Sequence, residues 1–254
     1  MRFTSEQRLD DGVLEREFTL GEIPGILWTP GSASTSGSTS GSASTSAPAR
    51  LILLGHPGGL REMYPRLAAR ARYRAAEGFA AATIELPGSG DRPRSAAAEQ
   101  ARADLRRALE TGEPVEEIVD RLVLPLVERA VPEWRATLDA LLSLPGIGGP
   151  VGYAGGVIAI GIRLAVLEPR IAAAVMFAGT FVPRAVFEEA RQVAIPLQVL
   201  LQWDDEGNNR QQALDLFDAF GSKEKTLHAN LGGHAGVPRF EEDDANRFFA
   251  RHLK

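Results

Sequence analysis

Apolar runs closed by glycine or proline alternate with stretches of helical periodicity along most of this chain. Leu51-Ile52-Leu53-Leu54 is a continuous apolar run ending in Gly55, and residues 79–86 form a second run closed by Pro87-Gly88. Unbroken apolar runs of this length fit strands buried on both faces, as in a parallel sheet. Residues 150–153, 171–178, 196–203 and 225–229 continue the series. Helical patterns separate them: 63–77, stopped by Gly78; 95–109; 115–129; 132–144, with proline in its first turn; 156–167, stopped by Pro169; and an amphipathic 241–253. Residues 12–18 and 22–28 read as two short strands joined at Leu20-Gly21. The alternation predicts an α/β fold: a mostly parallel twisted sheet with helices on both faces, led in by an antiparallel N-terminal pair.

At 254 residues the chain fits one large α/β domain over 1–254, a size also compatible with two small ones. Residues 31–46 are only Gly, Ser, Ala and Thr, which cannot bury apolar surface and predict a mobile, linker-like loop without a functional role. Residues 91–130 are rich in Arg and Glu and predict a helical excursion near the site, mainly solvated, with Leu122 and Leu126 available to wall a pocket. A net charge of −5 with both signs intermixed makes no electrostatic case for nucleic acid or anionic membrane as partner. The absence of cysteine excludes disulfides, thiolate chemistry and zinc–thiolate sites. Residues 1–12 are polar and lack the apolar core of a signal peptide, and the longest apolar stretches, 151–162 and 171–183, are too short to span a bilayer. The expectation is a soluble cytoplasmic protein acting on a small molecule without metal or cofactor.

The most informative segment is Gly152-Tyr153-Ala154-Gly155-Gly156. Gly-x-Ser-x-Gly between a short apolar run and a helix is the nucleophile elbow of serine hydrolases. Here the glycines stand at that spacing and alanine occupies the centre. Ala154 takes the nucleophile position if the spacing is kept; a turn drawn differently puts Gly155 or Gly156 there, or deletes the position. No serine or cysteine lies between Pro145 and Gly179, so every version lacks a nucleophile. Two further segments supply the partners. Asp205, in Trp203-Asp204-Asp205-Glu206, follows a strand and is the candidate acid, with Asp204 its rival. His234 lies between glycines in Leu231-Gly232-Gly233-His234-Ala235-Gly236 and is the candidate base. Elbow, acid and histidine follow the chain order of α/β-hydrolases, which differs from the two protease orders. Gly55-His56-Pro57-Gly58-Gly59 is similar to the glycine-rich loop that supplies an oxyanion-hole amide. Pro57 has no N–H, so Gly58 is the candidate donor there, with the Gly155 amide as the second. His56, His228 and His252 read as structural, and Asp91-Arg92 as a cap on the helical excursion.

With these pieces together, the chain resembles the bacterial dienelactone-hydrolase-like α/β-hydrolases over nearly its whole length outside the Gly/Ser segment. The resemblance rests on IPGILWTP, LILLGHPGG, ELPGSGDRPR, AVPEWRATLDAL, VGYAGG, LAVLEPRIAAAV, LLQWDDE and HANLGGH. It implies an esterase-like enzyme with a serine nucleophile and with Asp205 and His234 as acid and base. The chain departs from the pattern in three places: an elbow about two residues shorter, Gly207-Asn208-Asn209 after the acid where relatives carry an apolar stretch with proline, and Pro57 in place of a glycine. Three functions follow as expectations. The first is a carboxylic ester or lactone hydrolase disabled at the elbow, acting on an apolar substrate. The second is a non-hydrolytic lyase or cyclase using the Asp–His pair as general base. The third is a ligand-binding pseudoenzyme.

Overall fold

The computed structural model describes residues 1–31, 47–179 and 181–254. The Gly/Ser segment beyond Gly31 lies outside the described residues. The elements run β1 (Arg2–Arg8), β2 (Leu14–Leu20), β3 (Ile23–Thr29), β4 (Ala49–Gly55), α1 (Leu60–Ala76), β5 (Ala80–Ile84), α2 (Ala96–Thr111), α3 (Glu116–Leu142), β6 (Ile147–Gly155), α4 (Ile158–Leu167), β7 (Ile171–Phe177), α5 (Arg184–Ala190), β8 (Leu197–Gln202), α6 (Arg210–Ala219), β9 (Lys225–Asn230) and α7 (Phe240–Leu253). They build one sheet in the order β1-β2-β3-β5-β4-β6-β7-β8-β9. β1, β2, β3 and β5 pair antiparallel in succession, and every pair from β5 and β4 through to β9 is parallel.

The period-two alternation of the strands divides the core. Leu51, Leu53, Ala82, Val151 and Tyr153 face the side covered by α3, α4, α5 and α6. Ile52, Leu54, Ala81 and Ala154 face the other side, against α1 and α7. The central strands are buried on both faces, which is why their sequences read as continuous apolar runs.

Four elements differ from the sequence expectation. β1 is exposed at every position, so no burial pattern in its sequence announces it. The stretches 115–129 and 132–144 are one helix, α3, with Pro125 and Pro132 inside. Val119, Val123, Val127, Val131, Trp134, Leu138 and Leu141 form one buried stripe along it, and tertiary packing of that stripe outweighs the local cost of the prolines. α5 and α6, short helices of 7 and 10 residues, are additional to the expected elements. No helix among the described residues is long and apolar enough to cross a membrane.

Candidate active site

Strand order reverses around β4, and the crevice beyond the carboxyl ends of the strands is where an open α/β sheet takes its ligand. Gly55, Gly155, Phe177, Asp205 and His234 all lie at or just after those ends, on β4, β6, β7, β8 and β9 respectively.

The turn from β6 into α4 is made by two glycines, Gly155 and Gly156, each with φ +78°. That region is open to glycine and strained for other residues. A Cβ built on Gly156 would lie 2.8 Å from the Gly55 Cα, against rigid backbone. One built on Gly155 would meet only the movable end of Arg70, 2.6 Å from Nη1. Of the two, position 155 alone can carry a side chain projecting toward the crevice. Ala154 does not sit in the turn. It is the penultimate residue of β6, fully buried, paired with Leu54 and Val175, and its methyl belongs to the apolar cluster against α1 and α7. Gly152, the first glycine of the motif, serves packing: a Cβ there would lie 2.7 Å from the Phe249 ring. The pleat of β6 points the side chain of Ala154, the expected nucleophile position, into the core, and the turn itself falls at Gly155 and Gly156.

The acid and base are in contact. His234 Nδ1 lies 2.7 Å from Asp205 Oδ2. The Asp205 side chain is 2% exposed and that of His234 63%, so a buried carboxylate holds an accessible imidazole. The carboxylate accepts the Nδ1 proton, which leaves Nε2 with its lone pair free to act as a base. Asp205 Oδ1 accepts from the Gly207 N–H at 3.0 Å, and the Phe177 ring meets the imidazole edge-on at 5.5 Å. Asp204 points elsewhere. Its carboxylate accepts the N–H groups of Gly232 (2.9 Å) and Gly233 (2.9 Å), which anchors the histidine loop and holds the Asp204 pKa below the usual carboxylate range. Gln202 adds a bond from Nε2 to the Gly233 carbonyl at 2.9 Å. The unusual Gly207-Asn208-Asn209 is built into the site. Beyond the Gly207 contact, Asn208 donates to the Ala178 carbonyl at 2.8 Å, and Asn209 caps α6 by accepting from Gln212 N–H at 3.1 Å.

The loop between β4 and α1 is arranged less simply. His56 is buried, and Nε2 donates to the Ile84 carbonyl at 2.8 Å; burial pushes its imidazole pKa down. Two adjoining cavities open on the crevice, of about 470 and 400 Å³. Pro57, Gly156, Phe177 and His234 line both, so the imidazole stands at their junction. Gly155 lines the first. Gly58 and Ala154 line neither; the loop residues on the wall are His56 and Pro57, the second of which has no N–H. Gly155 and His234 thus line one cavity, Asp205 bonds His234, and Gly58 lines neither cavity. Leu122 and Leu126 wall the second cavity. Asp91 and Arg92 do not cap α2, whose N-cap is Ser95; Arg92 instead forms a two-pronged pair to Glu133 on α3 at 2.6 and 2.7 Å. His228 bonds Glu241 and His252 packs on Phe248, both away from the crevice. A larger cavity of about 920 Å³ beside β2 and β3 holds none of the expected site residues.

Arg70 is the functional candidate that the motifs do not single out. Its guanidinium stands over Gly155, and a salt bridge of 3.3 Å joins its Nε to Glu242 Oε1. The signal available in the sequence is spacing: Arg66, Arg70 and Arg74 recur every fourth residue on α1, which places them along one face.

Strand order, elbow and the Asp205–His234 pair together define the α/β-hydrolase fold. A scan of protein-family models gives no match, and neither does a search of curated proteins. Solved structures do match. A cold-adapted esterase from an Arctic intertidal metagenomic library, in complex with polyethylene glycol, is 27% identical over 100% of both chains with a TM-score of 0.74. Acetyl xylan esterase from Thermoanaerobacterium is 14% identical, covering 98% of this chain and 87% of its own, with a TM-score of 0.61. Dienelactone hydrolase from Anabaena variabilis is 16% identical over 98% and 99% of the two chains, with a TM-score of 0.56. The scaffold is thus of the hydrolase type, and its structural neighbours include esterases and a dienelactone hydrolase.

Proposed function

We propose that this chain is a carboxylic ester or lactone hydrolase scaffold in which the reacting oxygen is missing at position 155. The observation that carries this reading is the contrast at the elbow. The acid–base pair is assembled at 2.7 Å, while the adjoining turn holds glycine at φ +78°, the backbone state of a strained nucleophile turn. The apolar cavity under α2 and α3 suits the acyl or alcohol part of an ester. In an intact enzyme of this layout, a hydroxyl at 155 would attack the carbonyl and His234 Nε2 would take its proton. Asp205 would hold the imidazolium, and the amide following the nucleophile, that of Gly156, would face the oxyanion.

The dyad by itself also supports a second reading, a lyase or cyclase in which His234 acts as general base with no covalent step. One experiment separates the two. Parent protein and H234A are assayed with short p-nitrophenyl esters and with the corresponding lactones, following ester cleavage and, by mass spectrometry, any isomerised or eliminated product. The disabled-hydrolase reading expects the two proteins to be equal at background. Turnover by the parent that H234A loses would replace it with the general-base reading.

A further inference from the structure

The first cavity is cationic where an ester hydrolase needs a nucleophile. A Cβ on Gly155 would lie 2.6 Å from Arg70 Nη1 and 3.2 Å from Nη2, so the guanidinium fork fills the nucleophile's place. The Arg70 side chain is 18% exposed. Its single carboxylate neighbour, Glu242, touches it at Nε and is shared with Arg74, whose guanidinium also bonds Asn246. Arg66, Arg70 and Arg239 line this cavity against the one carboxylate of Glu242. Neither terminal nitrogen of Arg70 has a hydrogen-bond acceptor among the described residues. The free fork of this half-buried guanidinium matches in geometry a planar carboxylate accepting two parallel bonds. Beyond His234 the second cavity is lined by Leu122, Val123, Leu126, Val157, Ile158 and Phe181, with Arg102, Arg121 and Arg129 also on its wall.

Resting on the reading of this crevice as the substrate site of an ester-hydrolase scaffold, we infer that it binds a medium-chain carboxylate, the acid half of an ester. The head is held by the Arg70 fork over Gly155, and the hydrocarbon tail runs past His234 into the lobe under α2 and α3. The apolar residues of the second lobe favour a carboxylate that carries a hydrocarbon tail over inorganic phosphate. The absence of a side chain at 155 becomes part of the site: glycine there is what lets the guanidinium reach the junction of the two lobes.

The test is calorimetric titration of the full chain with octanoate, 1-octanol, acetate and inorganic phosphate at fixed ionic strength. Octanoate is expected to bind saturably, and 1-octanol about 10- to 100-fold more weakly, the range for hydrogen bonds to a charged group. R70Q should erase that preference, bringing octanoate down to the affinity of octanol. R70K, which keeps the charge but not the fork, should fall between parent and R70Q and covers the case in which R70Q does not fold. L126W, which fills the apolar lobe, should weaken octanoate and octanol alike. Equal binding of octanoate and octanol by the parent overturns the inference. So does an undiminished preference in R70Q or R70K, phosphate competing as well as octanoate, or no binding by any of the four. None of these outcomes touches the hydrolase reading, which is decided by turnover, and a failure of that reading leaves the octanoate preference standing.

Discussion

Replacing Gly155 by serine should return hydrolysis to the scaffold, and the size of the gain can be worked from the site. The new Cβ has one obstacle, the end of the Arg70 side chain at 2.6 Å, which can swing toward Glu242. Holding a non-glycine residue at φ +78° costs about 1–3 kcal/mol, within the stability of an ordinary domain. Supplying a nucleophile to an assembled Asp–His pair is worth about six orders of magnitude in kcat where it has been measured in a protease triad. Gly58, the expected donor of the loop after β4, does not line the cavity, and a missing oxyanion donor removes about two to three of those orders. The expected gain for G155S is therefore about 10³- to 10⁴-fold over the parent with p-nitrophenyl acetate. Initial rates at 405 nm measure it, with H234A in the G155S background as the control that abolishes it. A154S should give nothing, because that side chain points into the core. A gain in A154S, or none in a folded G155S, would refute the placement of the elbow.

Other substitutions probe the parts separately. D205N in the G155S background should lower kcat by about 10⁴, by fixing the wrong imidazole tautomer, while leaving the melting temperature within a few degrees of G155S. G156A should destabilise far more than G155A in a urea titration, since its methyl meets the Gly55 backbone at 2.8 Å whereas that of G155A meets only Arg70; equal losses would contradict the turn geometry. Glu15 is buried and accepts from Trp28 Nε1 at 2.5 Å and from the Tyr64 hydroxyl at 2.9 Å, so E15A should cost about 3 kcal/mol by chemical denaturation. The bonds from Arg170 hold the Glu168 carboxyl down at about 2, against an ordinary value of 4.5. A depressed acid stabilises the fold above its unfolded-state pKa, so this contribution is complete above about pH 4.5 and is lost as pH falls toward 2. E168Q should flatten the acid limb of the stability profile in that window, and an unchanged limb would show that the pair with Arg170 does not hold in solution.

How much of the molecule is legible in its sequence depends on how local each determinant is. The Asp205–His234 pair can be found because its signals are short: a carboxylate just past an apolar strand, and a histidine between glycines. Choosing Asp205 over Asp204 needs the structure, because adjacent carboxylates on a turn point in different directions, one to the imidazole and one to the loop amides. The motif spacing does not reveal that the Ala154 side chain lies in the core, for a related reason. Gly152 and Gly156 have the right separation, but one is there for the Phe249 ring and the other for the Gly55 backbone. Those are contacts with residues far along the chain, and a one-residue slip in a strand reverses the face of every side chain. β1 is silent in the sequence because an exposed edge strand has no apolar alternation. Arg70 is silent because an arginine on an amphipathic helix ordinarily faces solvent, and only the packing of α1 against α7 turns this one toward Gly155.

The proposed function places the vacant nucleophile site at position 155 and not at 154. Treating the parent, A154S and G155S with an alkyl fluorophosphonate, which couples only to an activated serine, and mapping the mass increase by peptide analysis tests this most directly. One adduct is predicted, in G155S alone and on the peptide carrying position 155, with its loss when His234 is also replaced by alanine. An adduct on A154S, or on a serine of the parent, would contradict that placement.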